Sequence, residues 1–357
     1  MQPNKIALLL IFLFSFLVRI WNYNYPPLTW DEASLGYNSY SISQTLRDEY
    51  GTFLPLIFKS FGDYKPGLYI YLASLFTPIF GLTELSVRLP SIILGSLTPI
   101  LLFYFVFHFS SHHKILAYLS ALVLAANPYN IHFSRGAWET NILTFELILA
   151  SYLFFKFRHQ SKYKYLLLSS LVFAATLYTY QAGKLISFLL VIVLWILHRT
   201  LINKKNLSVF FLPLTLLILP IIFGLLSQSD ANRLKVVSLL SYPQPDTEIN
   251  QIQSETSTLD YQLFHSRPLF FLRQFLFRYF NHFSPRFLTF EGDWQNPRHS
   301  APYIGMLLFP SCLFLVLGII RYLHEHPSPP LDRFFFAWFL LAPIPAALTR
   351  DTIQAVR

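Results

Sequence analysis

The sequence predicts an all-α polytopic membrane protein, with about nine transmembrane helices and further helices lying on the extracytoplasmic surface. Three observations carry this. Hydrophobic residues make up 54% of the 357 positions and charged residues only 13%, too few to clothe a soluble protein of this length. Apolar runs of near-spanning length recur from one end of the chain to the other. The basic residues behind the net charge of +9 gather in short linkers between those runs, which in a membrane chain reports orientation before it reports a nucleic acid.

The apolar segments, in order, are 6–21, 89–108, 115–128, 141–157, 165–180, 184–198, 209–226, 303–320 and 333–348. The first, "IALLLIFLFSFLV" after Lys5, resembles a signal peptide. It lacks a small-residue cleavage site and runs into the interfacial aromatics of "RIWNYNY", so it reads as an uncleaved span. The stretch "PGLYIYLASLFTPIFG" (66–81) is about one turn short of a ~20-residue span and holds a second proline, Pro78. Charge decides its place. If it lies on the surface, then Lys5, Lys114, Lys156, Arg158, Lys162, Lys164, Arg199, Lys204, Lys205, Arg321 and Arg333 share one side, cytoplasmic by the positive-inside rule. If it crosses, the later basic linkers all flip outward. The expectation is an inside N-terminus, a surface segment at 66–81 and an outside C-terminus. Cys312, the single cysteine, falls inside an apolar run and offers neither a disulfide nor a thiolate metal site.

Residues 1–357 then form one membrane domain with three external segments: 22–88, 129–140 and 228–300. Asp31, Glu32, Asp48, Glu49, Asp63, Glu84, Glu139 and Asp351 fall outside, Glu325 and Asp332 inside, and Glu146 within a span. Acids contribute little to topology, so this asymmetry points to chemistry on the outer face. The third segment closes on "RPLFFLRQFLFRYFNHF", an amphipathic helix suited to the membrane interface.

Several external residues are candidates for that chemistry. Thr29-Trp30-Asp31-Glu32 fits a capping box in which Glu32 serves the helix start, which leaves Asp31 to be explained. An acid in the first helical turn stays ionised beside the helix dipole and can accept a proton. Pro66 suits the first position of a helix and puts Lys65 beside its free N–H groups, an anion site flat on the membrane; the plain alternative is a lysine that snorkels or pairs with Asp63. The stripe Leu68, Leu72, Leu75 and Ile79 would let a lipid tail run along that helix. Arg135 and Glu139, four apart in "SRGAWET", read either as a helical ion pair or as a phosphate partner and a second acid converging on Asp31. Two acids at one site would raise one pKa or hold a divalent cation, so Asp31 and Glu139 are the candidate metal ligands, metal independence being favoured because a hard cation wants more oxygens. Arg88 is a reserve phosphate partner. Tyr180, Gln181 and Lys184 in "YQAGK", and Arg298 and His299 in "EGDWQNPRHS", are candidate substrate contacts, together with Glu291 and Asp293. Glu146 should face the bundle interior.

The order "WDEASLGYNSYSI", "GDYKPGLYIYLASLFTPIFG", "ELSVRLPSIILGSLTPILLFYF" resembles the polyprenyl-phosphate-sugar-dependent glycosyltransferases of the GT-C class, and within it the protein mannosyltransferase and lipid A aminoarabinose transferase group, over roughly residues 1–200. The resemblance implies a GT-C-like fold and transfer of a sugar, with inversion, from a polyprenyl-phosphate donor to a lipid, glycan or protein acceptor. It implies that Asp31 is the catalytic base or its organiser with Glu32 adjacent, that Lys65 contacts the lipid phosphate, and that Glu139 stands where the family often has Asp. The implied location is a bacterial plasma membrane with the site facing outside, and the implied partners are the lipid-linked donor and membrane lipid, not nucleic acid. Two competing readings remain. A transporter or flippase of lipid-linked sugars would need a midplane site and repeat symmetry, which the outer-rim acids and the lack of an internal repeat disfavour. An inactive truncated membrane protein is suggested by the end at "LTRDTIQAVR", directly after a span.

Overall fold

The computed structural model describes residues 2–61, 63–110, 114–226, 246–301, 303–324, 329–349 and 354–355. Each of the nine apolar segments holds a helix, the eighth only from Phe309 onward: α1 (Lys5–Ile20), α5 (Glu84–Phe109), α6 (Ile115–Ala125), α8 (Glu139–Gln160), α9 (Tyr163–Thr179), α10 (Gln181–Leu197), α11 (Lys204–Leu226), α14 (Phe309–His324), and the last divided into α15 (Pro330–Leu341) and α16 (Ile344–Ala347). Among the described residues, three helices are long and apolar enough to cross a membrane: 84–109, 139–160 and 204–222. The last apolar segment breaks around Pro343, which cannot continue a helical hydrogen-bond ladder.

Further elements fill the intervals. They are α2 (Trp30–Thr45), a hairpin of β1 (Ile57–Ser60) and β2 (Asp63–Pro66), the short α3 (Leu68–Ser74) and α4 (Thr77–Phe80), α7 (Pro128–Arg135), α12 (Asp246–Glu255) and α13 (Arg267–Asn281). The stretch 66–81 is thus two helices of 7 and 4 residues, neither of them near the ~20 residues a crossing needs. The hairpin pairs antiparallel, with Phe58 opposite Lys65.

This hairpin corrects the expectation for Lys65. The residue lies on β2, and α3 begins only at Leu68 after Gly67, so Lys65 does not stand at the start of that helix. Pro66 ends the strand and does not open the helix. The expected stripe is divided between the two short helices: Leu75 and Ile79 are exposed and Leu68 and Leu72 half-buried, while the opposite face, Tyr69, Ile70 and Ala73, is buried against α2 and α5.

Packing is dominated by aromatic interdigitation. Phe105, Phe154, Phe155, Phe173, Trp195, Phe210 and Phe334 join α5, α8, α9, α10, α11 and α15 in one cluster. A second cluster, built on Leu35, Phe58, Tyr69, Val87 and Ile142, seats α2, the hairpin and α3 on the N-terminal ends of α5 and α8. Arg19 pins the end of α1: fully buried, it donates to the Ser15 carbonyl (2.8 Å), the Ala125 carbonyl (3.3 Å) and Asn130 Oδ1. Glu146 is buried where α8 meets α9 and accepts a hydrogen bond from Thr179 (2.6 Å), as expected of an acid that must face the bundle.

Candidate functional site

The acidic pair sits at the start of α2, and its two members do different work. Thr29 caps the helix and a full capping box forms, with Glu32 Oε2 accepting from the Thr29 N–H (3.0 Å). Glu32 also takes a two-pronged grip from Arg88 on α5, Nε to Oε1 and Nη2 to Oε2, both 2.8 Å. A fourth donor, the Ala137 N–H, reaches Oε1 at 2.8 Å. Burial pushes the Glu32 carboxyl up, but Arg88 and the N–H groups of Ala137 and Thr29 outweigh it and hold the pKa below the usual carboxylate range. Arg88 spends its remaining nitrogen on the Tyr23 carbonyl and is 2% exposed. Glu32 and Arg88 therefore form a closed, mutually neutralised clasp among the first external segment, α5 and the loop before α8.

Gly136 makes the clasp possible. A Cβ there would come within 2.7 Å of the Trp138 indole nitrogen and 3.3 Å of Glu32 Oε1, so a side chain would push the loop off the carboxylate. Gly136 also ends α7, which separates Arg135 from Glu139 on α8 and removes the helical ion pair that their spacing suggested. Arg135 turns instead to the end of α1, donating to the carbonyls of Trp21 and Asn22 (3.0 Å each). Glu139, half-buried in the first turn of α8, is near enough to help raise the Tyr69 hydroxyl pKa, after burial and Glu32.

Asp31, one residue before Glu32, points elsewhere. Its Oδ1 is 2.6 Å from Lys65 Nζ and its Oδ2 is 3.8 Å from an Arg298 guanidinium nitrogen. The Asp31 side chain is 40% exposed and that of Lys65 only 11%, so the carboxylate faces solvent while the ammonium is fixed beneath it. Lys65 thus pairs with Asp31. Arg298 lies over the Trp138 ring (6.0 Å to its centre), and the next residue, His299, meets the same ring edge-on (5.5 Å). Two cations about one accessible carboxylate leave an excess positive charge, and the Glu32–Arg88 clasp below adds none.

Of the residues predicted from sequence, the structure thus brings Asp31, Lys65 and Arg298 together, with His299 behind them. Tyr180 packs near the same wall, in the aromatic cluster of Phe133, Phe287 and Trp138. Gln181 opens α10. Lys184 lines a cavity of about 580 Å³ between α9, α10 and α11, otherwise walled almost wholly by apolar groups that include Phe173, Phe188, Trp195 and Phe211. Among the described residues, no group of three or more His, Cys, Asp or Glu side chains is arranged to hold a metal. Sequence reasoning missed Trp138 and Ala137. The indole is the surface on which Arg298 and His299 rest, and Ala137 acts through its backbone N–H, which no side-chain pattern signals.

Residues 64–226 match the family of dolichyl-phosphate-mannose-protein mannosyltransferases; Lys65, Arg88, Arg135 and Glu139 lie in that stretch, Asp31 and Arg298 outside it. No curated protein matches the chain. Among solved structures, it is similar to the archaeal oligosaccharyltransferase AglB from Archaeoglobus fulgidus, determined with an inhibitory peptide and a dolichol-phosphate. That likeness has 14% identity and a TM-score of 0.53, and covers 96% of this chain and 49% of the other. An apo-form oligosaccharyltransferase structure from Archaeoglobus fulgidus aligns with 14% identity, a TM-score of 0.45, and 96% and 50% coverage. The chain therefore spans about half the length of the solved structures it matches. Its backbone shares the fold of the archaeal oligosaccharyltransferase, and within it residues 64–226 match the dolichyl-phosphate-mannose-protein mannosyltransferase family.

Proposed function

We propose that this chain transfers a sugar from a polyprenyl-phosphate donor to an acceptor hydroxyl, with inversion, on the outer face of a bacterial plasma membrane. The observation that carries the reading is the solvent-facing Asp31 carboxylate set between Lys65 (2.6 Å) and Arg298 (3.8 Å). The donor's phosphate is anionic and needs cations; the acceptor hydroxyl needs a base; this one site supplies both. When the phosphate arrives, Lys65 and Arg298 turn part of their charge to it, and Asp31 is freed to accept the acceptor's proton. The acceptor oxygen bonds to the anomeric carbon as the carbon–oxygen bond to phosphate breaks, and the bonding pair leaves with the polyprenyl phosphate. Because that leaving group is already good, general-base and electrostatic assistance suffice.

Nine crossings with 66–81 on the surface put this site outside. The donor's tail takes the 580 Å³ apolar cavity of α9, α10 and α11, the stripe beside Lys65 being carried on helices of only 7 and 4 residues. Tyr180 packs against both the bundle cluster of Phe173 and Trp195 and the cluster that holds Trp138. Glu32 organises α2, and Glu139 either orients substrate or joins Asp31 about a divalent cation.

The test is to incubate membranes with labelled polyprenyl-phosphate sugars and follow which product gains label. Asp31→Asn should cut transfer by ~10²–10⁴-fold. Lys65→Ala should weaken use of two donors that differ only in sugar to the same extent. Undiminished transfer by Asp31→Asn would reduce this residue to a helix-start acid. If chelation lowers activity in the wild type but not in Glu139→Gln, a cation is shared; indifference to chelator with loss in Glu139→Gln assigns Glu139 to substrate orientation.

A further inference from the structure

Behind Arg298 lies a carboxylate that touches neither cation of the site. Asp293 is 0% exposed. It accepts from the Asn296 N–H on Oδ1 (3.0 Å), and on Oδ2 from the Ala355 N–H (3.1 Å) and from His299 Nδ1 (3.1 Å). His299 is itself 5% exposed, wedged against the edge of the Trp138 indole. Arg298 stands between these fixtures in a single tight turn, Pro297–His299. Its own carbonyl accepts from His132 Nε2 on α7 (2.8 Å). An isolated three-residue turn has little stiffness of its own. This one is clamped from both sides, by His132 at the Arg298 peptide and by Asp293 at the residue that follows.

A fully buried carboxylate is costly unless its lone pairs are met. Among the described residues, the hydrogen bonds to Asp293 come from the 293–299 loop and one distant N–H, so its interactions go into shaping that loop. We propose that Asp293 is a positioning residue: through His299 it fixes the turn that aims Arg298 at Asp31 and so at the donor phosphate. This rests on the phosphate-binding reading of the site. The sequence grouped Asp293 with the substrate contacts; its burial places it behind them.

The experiment measures binding of a labelled polyprenyl phosphate to the purified full chain in detergent, which needs no acceptor. Arg298→Ala should raise the Kd. Asp293→Asn should raise it by about tenfold or more, since a misplacement near 1 Å can cost up to ~10²-fold. The deciding measurement is the double variant. Asp293→Asn/Arg298→Ala should bind no worse than Arg298→Ala alone, because a residue that acts through Arg298 has nothing left to position. His299→Ala carries the same expectation and serves if Asp293→Asn does not accumulate. Losses that add in the double variant, or an unchanged Kd in Asp293→Asn with only its melting temperature lowered, would show a purely structural residue and overturn the inference. If Lys65→Ala weakens binding but Arg298→Ala does not, the phosphate reading stands on Lys65 and the inference alone falls. If neither variant weakens binding, the phosphate reading itself is wrong.

Discussion

Two adjacent acids have opposite fates because consecutive residues on a helix are rotated by roughly 100°. That turn sends Glu32 inward to Arg88, where its side chain is 7% exposed, and leaves Asp31, at 40%, facing Lys65 and Arg298. Glu32→Gln removes one partner of a buried ion pair and should destabilise the protein by about 3–5 kcal/mol, since Arg88 is left charged and uncompensated. Asp31→Asn should change stability little, because half-exposed pairs contribute weakly, while transfer collapses. Thermal unfolding in detergent beside the transfer assay separates the two. The pH dependence has a definite sign. The Glu32 pKa is lowered on folding, so its stabilisation is fully present above the ordinary carboxylate pKa of ~4.3 and is lost as pH falls through the folded value. The stability gap between wild type and Glu32→Gln should therefore be widest near neutrality and close only below pH ~4. A gap that does not change between pH 7 and pH 3 would show that the carboxylate charge is not what Arg88 needs.

At the scale of elements, the β-hairpin decides where the Lys65 ammonium stands. Lys65 is held by its register opposite Phe58, and Phe58, 1% exposed, is packed beneath Gly67. A Cβ on Gly67 would come within 2.5 Å of the Phe58 ring and 3.0 Å of the Leu56 carbonyl. Gly67→Ala must therefore shift the hairpin against α2, and it should raise the donor KM while leaving the Asp31 carboxylate in place. An unchanged donor KM would mean that Lys65 reaches the phosphate independently of the strand. Thr29→Ala tests the other supporting element. Loss of the cap should cost about 0.5–2 kcal/mol in thermal unfolding, and Thr29→Ser should recover most of it because the hydroxyl that accepts the Glu32 N–H is retained.

For the whole molecule, the orientation of the bundle can be tested at two exposed positions. Ser161 follows α8 and Tyr50 lies in the first external segment. In a Cys312→Ser background, Ser161→Cys should be shielded from a membrane-impermeant thiol reagent in intact cells, and Tyr50→Cys should label. The reverse pattern would turn the bundle over and place the site on the cytoplasmic side. Ser111, a natural second inner probe, lies outside the described residues, as do Glu325 and Asp351.

The sequence by itself determined the features that are local. Nine apolar stretches became helices because run length and hydropathy act residue by residue along the chain, and the capping box was legible because all its atoms lie within four consecutive residues. The acid pair and the lysine–proline step could be picked out for the same reason. Local pattern also misled. Pro66 was read as a helix start, yet a strand pairing with residues 57–60 claims it, and such pairing is invisible to a window around the proline. The four-residue interval from Arg135 to Glu139 suggests a helix, but α7 ends at Gly136 and the Ala137 N–H that follows is taken by Glu32, more than a hundred residues away. What only the tertiary structure decided is which charges meet. Arg298 approaches Asp31 from the far end of the chain, Arg88 pairs with Glu32, and Asp293 lies behind Arg298 instead of beside it. The reason is physical. Helix formation depends on neighbours three and four residues apart, whereas a charge is paired by whatever the packed helices carry to within a few ångströms, and nothing in the local sequence specifies that partner.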